Sequence, residues 1–259
     1  MESLIELEPT DLLWALGMIA IAIGLSSTQR LRLEITLVNA TGRTILQLLV
    51  AGYLLAIVFT LNNPILIVGL LVLMLAIATI VARNRIGKKI PHISSLVFGS
   101  IFFSTTLSVS YTIVLIIQPE IWYSPQYLIP LGAIVLGQVM NGTAIAGERL
   151  VSAISNSRQE IETHLSLGAT PQQSVAAYRQ DAIRAGLIPT TNSMMVIGLV
   201  GLPSLMSGQL LSGIDALNAA SYQILIMLML VFANLLTTLL VTQGLARQFF
   251  NAQAQLRIP

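Results

Sequence analysis

Long stretches of the chain carry no charge and little polarity, and they recur along its length. Seven such runs stand out, at residues 12–25, 44–61, 64–82, 94–117, 127–147, 186–211 and 219–243. A hydrocarbon core of about 30 Å takes about 20 helical residues to cross, so each run is read as a membrane-spanning helix. The first is the shortest and is expected to begin near Pro9. Apolar residues run continuously instead of alternating, which argues against a β-barrel. The predicted fold is all-α, a polytopic membrane helix bundle of about seven transmembrane helices. Glu2, Glu6, Glu8 and Asp11 precede the first run, where a secretory signal needs positive charge, so that run is expected to be retained as a span.

Charge placement orients the bundle, because Lys and Arg near span ends mark the cytoplasmic side. Arg30, Arg32 and Arg43 follow the first run, and Arg83, Arg85, Lys88 and Lys89 follow the third. Arg149, Arg158, Arg179 and Arg184 follow the fifth, and Arg247 and Arg257 follow the seventh, so all 13 basic residues fall in alternate loops. The predicted topology has the N-terminus outside and the C-terminus cytoplasmic; an even span count would break the alternation. The opposite loops, 62–63, 118–126 and 212–218, contain no Lys or Arg and only Glu120 and Asp215 as acids.

Composition agrees. Of 259 residues 55% are hydrophobic and 9% charged, with mean hydropathy +0.82; a soluble domain carries about 25% charged residues. The length accommodates a single transmembrane domain, 1–259, in contact with membrane lipid, and the localisation expected is a multi-pass protein of the plasma membrane, the inner membrane in a bacterium. A net charge of +2 makes no case for nucleic acid, and the lack of cysteine removes disulfide, thiolate and Cys-ligated metal chemistry.

One loop is long. Residues 148–185 form a mixed-charge cytoplasmic segment in which Leu150, Val151, Ile154, Ile161, Leu165 and Leu167 recur near helical spacing. A helix extending span five, a short turn and a second helix are expected. Gly168 ends a helix, Thr170 caps the next, and Pro171 occupies its first turn, where a missing N–H costs nothing. Pattern alone leaves two roles open, a solvated connector or a docking element for a cytoplasmic partner.

The segment 162–171 (ETHLSLGATP) looks like the coupling segment of ABC transporter permeases, in which Glu-Ala-Ala, three residues and Gly precede a docking turn. Glu162 and Gly168 hold the outer positions, while Thr163 and His164 stand in place of the alanines. More broadly, 165–171 (LSLGATP), 179–189 (RQDAIRAGLIP), 196–209 (VIGLVGLPSLMSGQ), 213–215 (GID) and Tyr222-Gln223 resemble the FetB (YbbM) permease family. That family includes bacterial iron-export permeases and plant aluminium-sensitivity permeases, one of which is associated with UDP-glucose transport. The resemblance is densest over 160–243, with Gly42-Arg43 and 47–53 as weaker matches. It implies the membrane subunit of an ABC transporter, exporting iron, another metal or a small solute, with Glu162, Leu165, Leu167, Gly168, Ala169, Thr170 and Pro171 contacting a cytoplasmic ATPase subunit. A nucleotide-sugar permease is the alternative it leaves.

The chain lacks Gly-x4-Gly-Lys-Ser/Thr, the phosphate-cradling loop of an ATPase. No enzymatic activity is therefore expected of this chain, and it needs no cofactor; ATP and Mg would belong to the partner ATPase. No ionisable residue lies well inside the seven runs, whereas ion-driven carriers place such groups mid-membrane. His92 and His164 both sit in cytoplasmic loops, and no carboxylate or His cluster offers a hard-metal site.

Span six carries Gly198, Gly201, Pro203, Gly208 and Gly213, so Pro203 is expected to kink or break it, as a gate helix or as a kinked packing helix. Pathway or gate candidates are Gln138, Asn141, Asn192, Met194, Met195, Pro203, Met206 and Gln209. Against these stand ordinary roles: Ala133, Gly137 and Asn141 form a small-residue face suited to packing, and methionine commonly fills apolar gaps. Seven spans enclose little of a path, so a symmetric homodimer is expected. A membrane scaffold or sensor shares every topological feature, and a secondary carrier would show an internal repeat that is not evident.

Overall fold

The computed structural model describes residues 8–87, 90, 92–251 and 253–257. Glu2, Glu6, Lys88 and Lys89, used above for orientation, lie outside the described residues. The fold is helical throughout: α1 Pro9–Thr28, α2 Glu34–Leu61, α3 Pro64–Ile86, α4 Ile93–Tyr111, α5 Pro125–Asn156, α6 Arg158–Ser166, α7 Pro171–Ser174, α8 Ala176–Val196, α9 Ser204–Leu211 and α10 Ala216–Gln248. Among the described residues six segments are long and apolar enough to cross a membrane: α1, α2, α3, α4 with its π-helical extension Thr112–Ile117, α5 and α10.

The chain divides into two compact units. One holds α1 and α2, joined by a turn in which Arg30 and Arg32 adopt positive φ. Buried Ser26 organises that turn: its hydroxyl donates to Glu34 Oε1 at 3.1 Å and accepts from the Leu33 amide at 3.2 Å. Arg43, expected in a loop, lies inside α2.

The other unit contains α3 to α10, with α5, α8 and α10 packed on one another and α3 and α4 packed beside α5. Sequence dictates the ends. Asn63 caps α3 by accepting from the Ile65 amide at 2.9 Å, with Pro64 in the first turn. Asp215 caps α10 through the Leu217 and Asn218 amides at 3.1 and 3.2 Å. With 32 and 33 residues, α5 and α10 are roughly 48–50 Å long at 1.5 Å per residue, well beyond the hydrocarbon. The overshoot explains why Glu148, Arg149 and Arg247 sit on helices and not in loops.

The predicted sixth span departs from expectation. Residues 186–211 are not one helix: α8 ends at Val196, an irregular segment occupies 197–203, and α9 restarts at Ser204. Pro203, preceding α9, has no N–H to continue the ladder and disfavours helix at Leu202. Gly198, with φ +76, lets the chain reverse so that its amide donates to the Gly201 carbonyl at 3.0 Å. Leu199 and Val200 at the tip of that reversal are 86% and 85% exposed.

Close backbone approach fixes the centre. A Cβ on Gly142 in α5 would fall 1.8 Å from Asn234 Oδ1 of α10, and one on Gly186 in α8 would fall 2.8 Å from the Gly142 carbonyl oxygen. Small residues let helices meet this closely in a bilayer, where association rests on packing and hydrogen bonds. Gly142→Ala is therefore expected to lower stability by about 1–3 kcal/mol, the range for overpacking a close contact. Gly99→Ala, with nothing within 4 Å of the new methyl, is expected to stay within about 1 kcal/mol of the parent. Thermal unfolding in detergent distinguishes them.

Candidate functional site

Two regions carry the candidate chemistry, a polar centre where α5, α8 and α10 meet and the exposed turn between α6 and α7. In the first, Asn234 and Thr190 are fully or almost fully buried. Asn234 Nδ2 donates to the Gly186 carbonyl at 3.1 Å and to Thr190 Oγ1 at 2.9 Å. Gln138 Nε2 also donates to Thr190 Oγ1. One hydroxyl thus gathers amides from two neighbouring helices, possible because an oxygen of this kind has two acceptor sites.

Beside this network lies a cavity of about 460 Å³. Its polar lining is Gln138, Thr190, Ser193, Ser204 and Gln223, and the broken segment supplies Gly201, Leu202 and Pro203. Among the described residues no Asp, Glu, Lys, Arg or His lines it, and no group of three or more His, Cys, Asp or Glu is placed to hold a metal. Gln223 is 6% exposed and its amide oxygen has no hydrogen-bond partner.

Of the pathway candidates, Gln138 and Pro203 come together at this cavity. Asn141, Asn192 and Met195 are exposed on the outer surfaces of α5 and α8, away from its lining. Met194 is half-buried against the core, and Met206 and Gln209 are half-buried in α9. Sequence reading missed Asn234 and the cavity roles of Thr190, Ser193 and Gln223. A signal for Asn234 existed: it stands with Thr237 and Thr238 three and four residues on, one polar face in an apolar run. In α4, Ser104 bonds back to the Ser100 carbonyl at 2.6 Å while also meeting the Thr237 hydroxyl of α10.

The second region has the expected helix, turn, helix form. Gly168 ends α6 with φ +92, a left-handed conformation that L side chains rarely adopt. Its amide donates to the Leu165 carbonyl, and the Ala169 amide donates to the His164 carbonyl, each at 3.0 Å. Thr170 and Gln173 then form a reciprocal cap: Thr170 Oγ1 accepts from the Gln173 amide at 3.3 Å, and Gln173 Oε1 accepts from the Thr170 amide at 2.9 Å. Pro171 opens α7, which lasts one turn before Val175 and α8. Leu167 is 81% exposed at the tip, Leu165 packs partly against the core, and Glu162 is paired with Arg158 at 2.8 Å on the exposed face of α6. Tyr178 braces the unit by donating to Glu160 Oε2 at 2.7 Å; burial, then the neighbouring carboxylate, holds its phenol above the usual range. Behind the turn a second cavity of about 440 Å³ includes Thr170, Pro171, Arg179, Arg247 and Phe250.

Six long apolar helices among the described residues, a helix break beside an uncharged polar cavity and an exposed capped turn define a multi-pass helical membrane protein. The chain belongs to the family described as Uncharacterised protein family (UPF0014), which matches residues 9–250. It is 52% identical over 256 residues to UPF0014 membrane protein slr1647 of Synechocystis sp. (strain ATCC 27184 / PCC 6803 / Kazusa), covering 99% of both chains. It is 34% identical over 243 residues to "Probable iron export permease protein FetB" of Escherichia coli (strain K12), covering 93% of this chain and 92% of that one. Protein ALUMINUM SENSITIVE 3 of Arabidopsis thaliana is 29% identical over 243 residues, covering 94% and 88%. No solved structure matches the chain.

The polar centre gives a stability prediction. Thr190→Val keeps the shape but removes the shared acceptor, leaving the Gln138 amide without this bond. It is expected to cost about 1–3 kcal/mol, while Thr190→Ser stays near the parent, as read by thermal unfolding of the detergent-solubilised protein.

Proposed function

We propose that this chain is the membrane-spanning permease subunit of an ABC transporter, a single permease domain, 1–259, that acts as a homodimer. The ATP is hydrolysed by a separate cytoplasmic ATPase subunit, which holds the nucleotide and Mg. The observation that carries the reading is the Gly168 turn: a rigid, doubly capped reversal with exposed Leu167 at its tip, in a chain aligned over nine-tenths of its length with a relative named as a permease.

Orientation follows from the basic residues. With the α8–α9 segment counted as one broken crossing, the chain passes the bilayer seven times and every Lys and Arg falls on one side, supporting an outside N-terminus and a cytoplasmic C-terminus. Discontinuous helices at membrane depth are tolerated where they line a cavity, which is where α8 breaks. Export of iron, another metal or a small solute across a bacterial inner membrane is the reading supported by the iron-export name of one relative. ATPase closure would displace the turn, and α8, continuous with it through α7 and Val175, would carry that displacement to the cavity by favouring one arrangement of the break over another.

The test is co-purification of the tagged chain, with ATPase activity and metal or solute movement in reconstituted vesicles. A nucleotide-hydrolysing subunit is expected to co-purify, and its activity to rise with the cargo. Gly168→Glu places a side chain at φ +92 and a charge on the contact, and Gly168→Pro demands a negative φ. Both are expected to abolish co-purification while leaving membrane insertion intact. Normal recruitment in both variants contradicts the placement of the contact.

A further inference from the structure

We infer that the cavity at the α8–α9 break is a binding site for a small neutral solute bearing several hydroxyl groups, and not for a bare metal cation. Assigning that solute as cargo rests on the permease reading; the site itself does not.

The lining sets the chemistry. About 460 Å³ is within the size range of small-molecule sites. Every polar side chain around it is a neutral amide or hydroxyl, from Gln138, Thr190, Ser193, Ser204 and Gln223. An ion entering would exchange its hydration for neutral groups with no counter-charge, a heavy desolvation penalty. Met227 supplies the one thioether of the lining, too few soft ligands for a thioether-bound metal. The first turn of α9 also borders the cavity, and the positive end of a helix repels a cation.

Two groups call for a ligand. Gln223 lines the cavity while nine-tenths buried, and its amide oxygen is itself buried with no donor among the described residues. Burying an unpaired amide is costly, so its retention among apolar neighbours Ile226, Met227 and Leu230 is explained by a donor arriving from outside. Thr190 Oγ1 already accepts from Gln138 and Asn234, so its remaining capacity is the hydroxyl proton, which needs an acceptor. A ligand hydroxyl both donates and accepts, and can satisfy Gln223 with one face and Thr190 with another. The hydroxyl of Ser193 points back to the Pro189 carbonyl at 2.9 Å, leaving its position on the cavity wall a neutral reporter.

The chain has no cysteine, so Ser193→Cys introduces a single thiol at the wall. In purified full-length protein in nanodiscs, that thiol is treated with methanethiosulfonates carrying a hydroxyethyl, an aminoethyl or a sulfonatoethyl group, each rate normalised to a free thiol. The neutral reagent is expected to react at least about tenfold faster than either charged one, since only the charged ones must shed hydration, and xylitol is expected to slow it. Gln223→Leu, added to Ser193→Cys, is expected to abolish xylitol protection and to raise the melting temperature, because it removes an unsatisfied buried group. A purely structural glutamine would give a lower one. A charged reagent that matches the neutral one, absence of xylitol protection in the Gln223 background, or a thiol that no reagent reaches overturns the proposal. Labelling requires neither ATPase nor transport: a neutral-selective cavity in a chain that recruits no ATPase would keep the site and remove the permease reading.

Discussion

Hydrocarbon neither donates nor accepts a hydrogen bond, so Asn234, fully buried in an apolar helix, has to find its partners inside the protein. Its amide nitrogen finds them on α8, in the Gly186 carbonyl and the Thr190 hydroxyl, while its amide oxygen has no partner among the described residues. On its other side Asn234 abuts α5 so closely that no side chain fits at Gly142. Thr190 in turn anchors Gln138 of α5. The three helices α5, α8 and α10 are thereby tied at one level, and beyond it α8 stops at Val196.

That arrangement separates a continuous helix from an irregular segment. Below the network, α8 runs without interruption to Val175, one turn from the Thr170 cap and the Gly168 reversal. Beyond it, the 197–203 segment is held by turn bonds, the Ile197 amide donating to the Ser193 carbonyl, the Leu199 and Val200 amides to the Val196 carbonyl and the Gly198 amide to the Gly201 carbonyl, and it exposes Leu199 and Val200. Under the proposed coupling, a displacement at the turn would travel along this continuous helix to the place where it ends. Allosteric coupling needs a two-state element between two sites, and the helix break at the wall of the uncharged cavity is where the proposed coupling would require it.

Much of this was legible in the sequence because hydrophobic run length and loop charge report directly on a bilayer. The capped turn was legible residue by residue: Gly168 for its positive φ, Thr170 as cap, Pro171 in the first turn. The broken span was only half legible. Proline and glycine marked the interruption, yet where α8 ends depends on the reversal at Gly198 and on contacts from α5 and α10. The cavity residues were harder still. Gln138 was evident as an amide in an apolar run, while Asn141 and Asn192, equally evident, fall on exposed faces. A helix one residue out of phase turns by about 100°, and sequence alone does not say which face of a span is apolar because it meets lipid and which because it meets protein. Gln223 and Asn234 become significant only once α10 is seen against α5 and α8.

The central claim is that ATP binding by a partner subunit moves the Gly168 turn of a paired permease. Leu167 is exposed and the chain has no cysteine, so a spin label at Leu167→Cys reports the distance between the two copies by pulsed electron resonance without background. With the ATPase subunit bound, trapping unhydrolysed ATP is expected to shift that distance distribution relative to the nucleotide-free complex. A distribution unchanged by ATP, or the absence of any distance between copies, would contradict the mechanism.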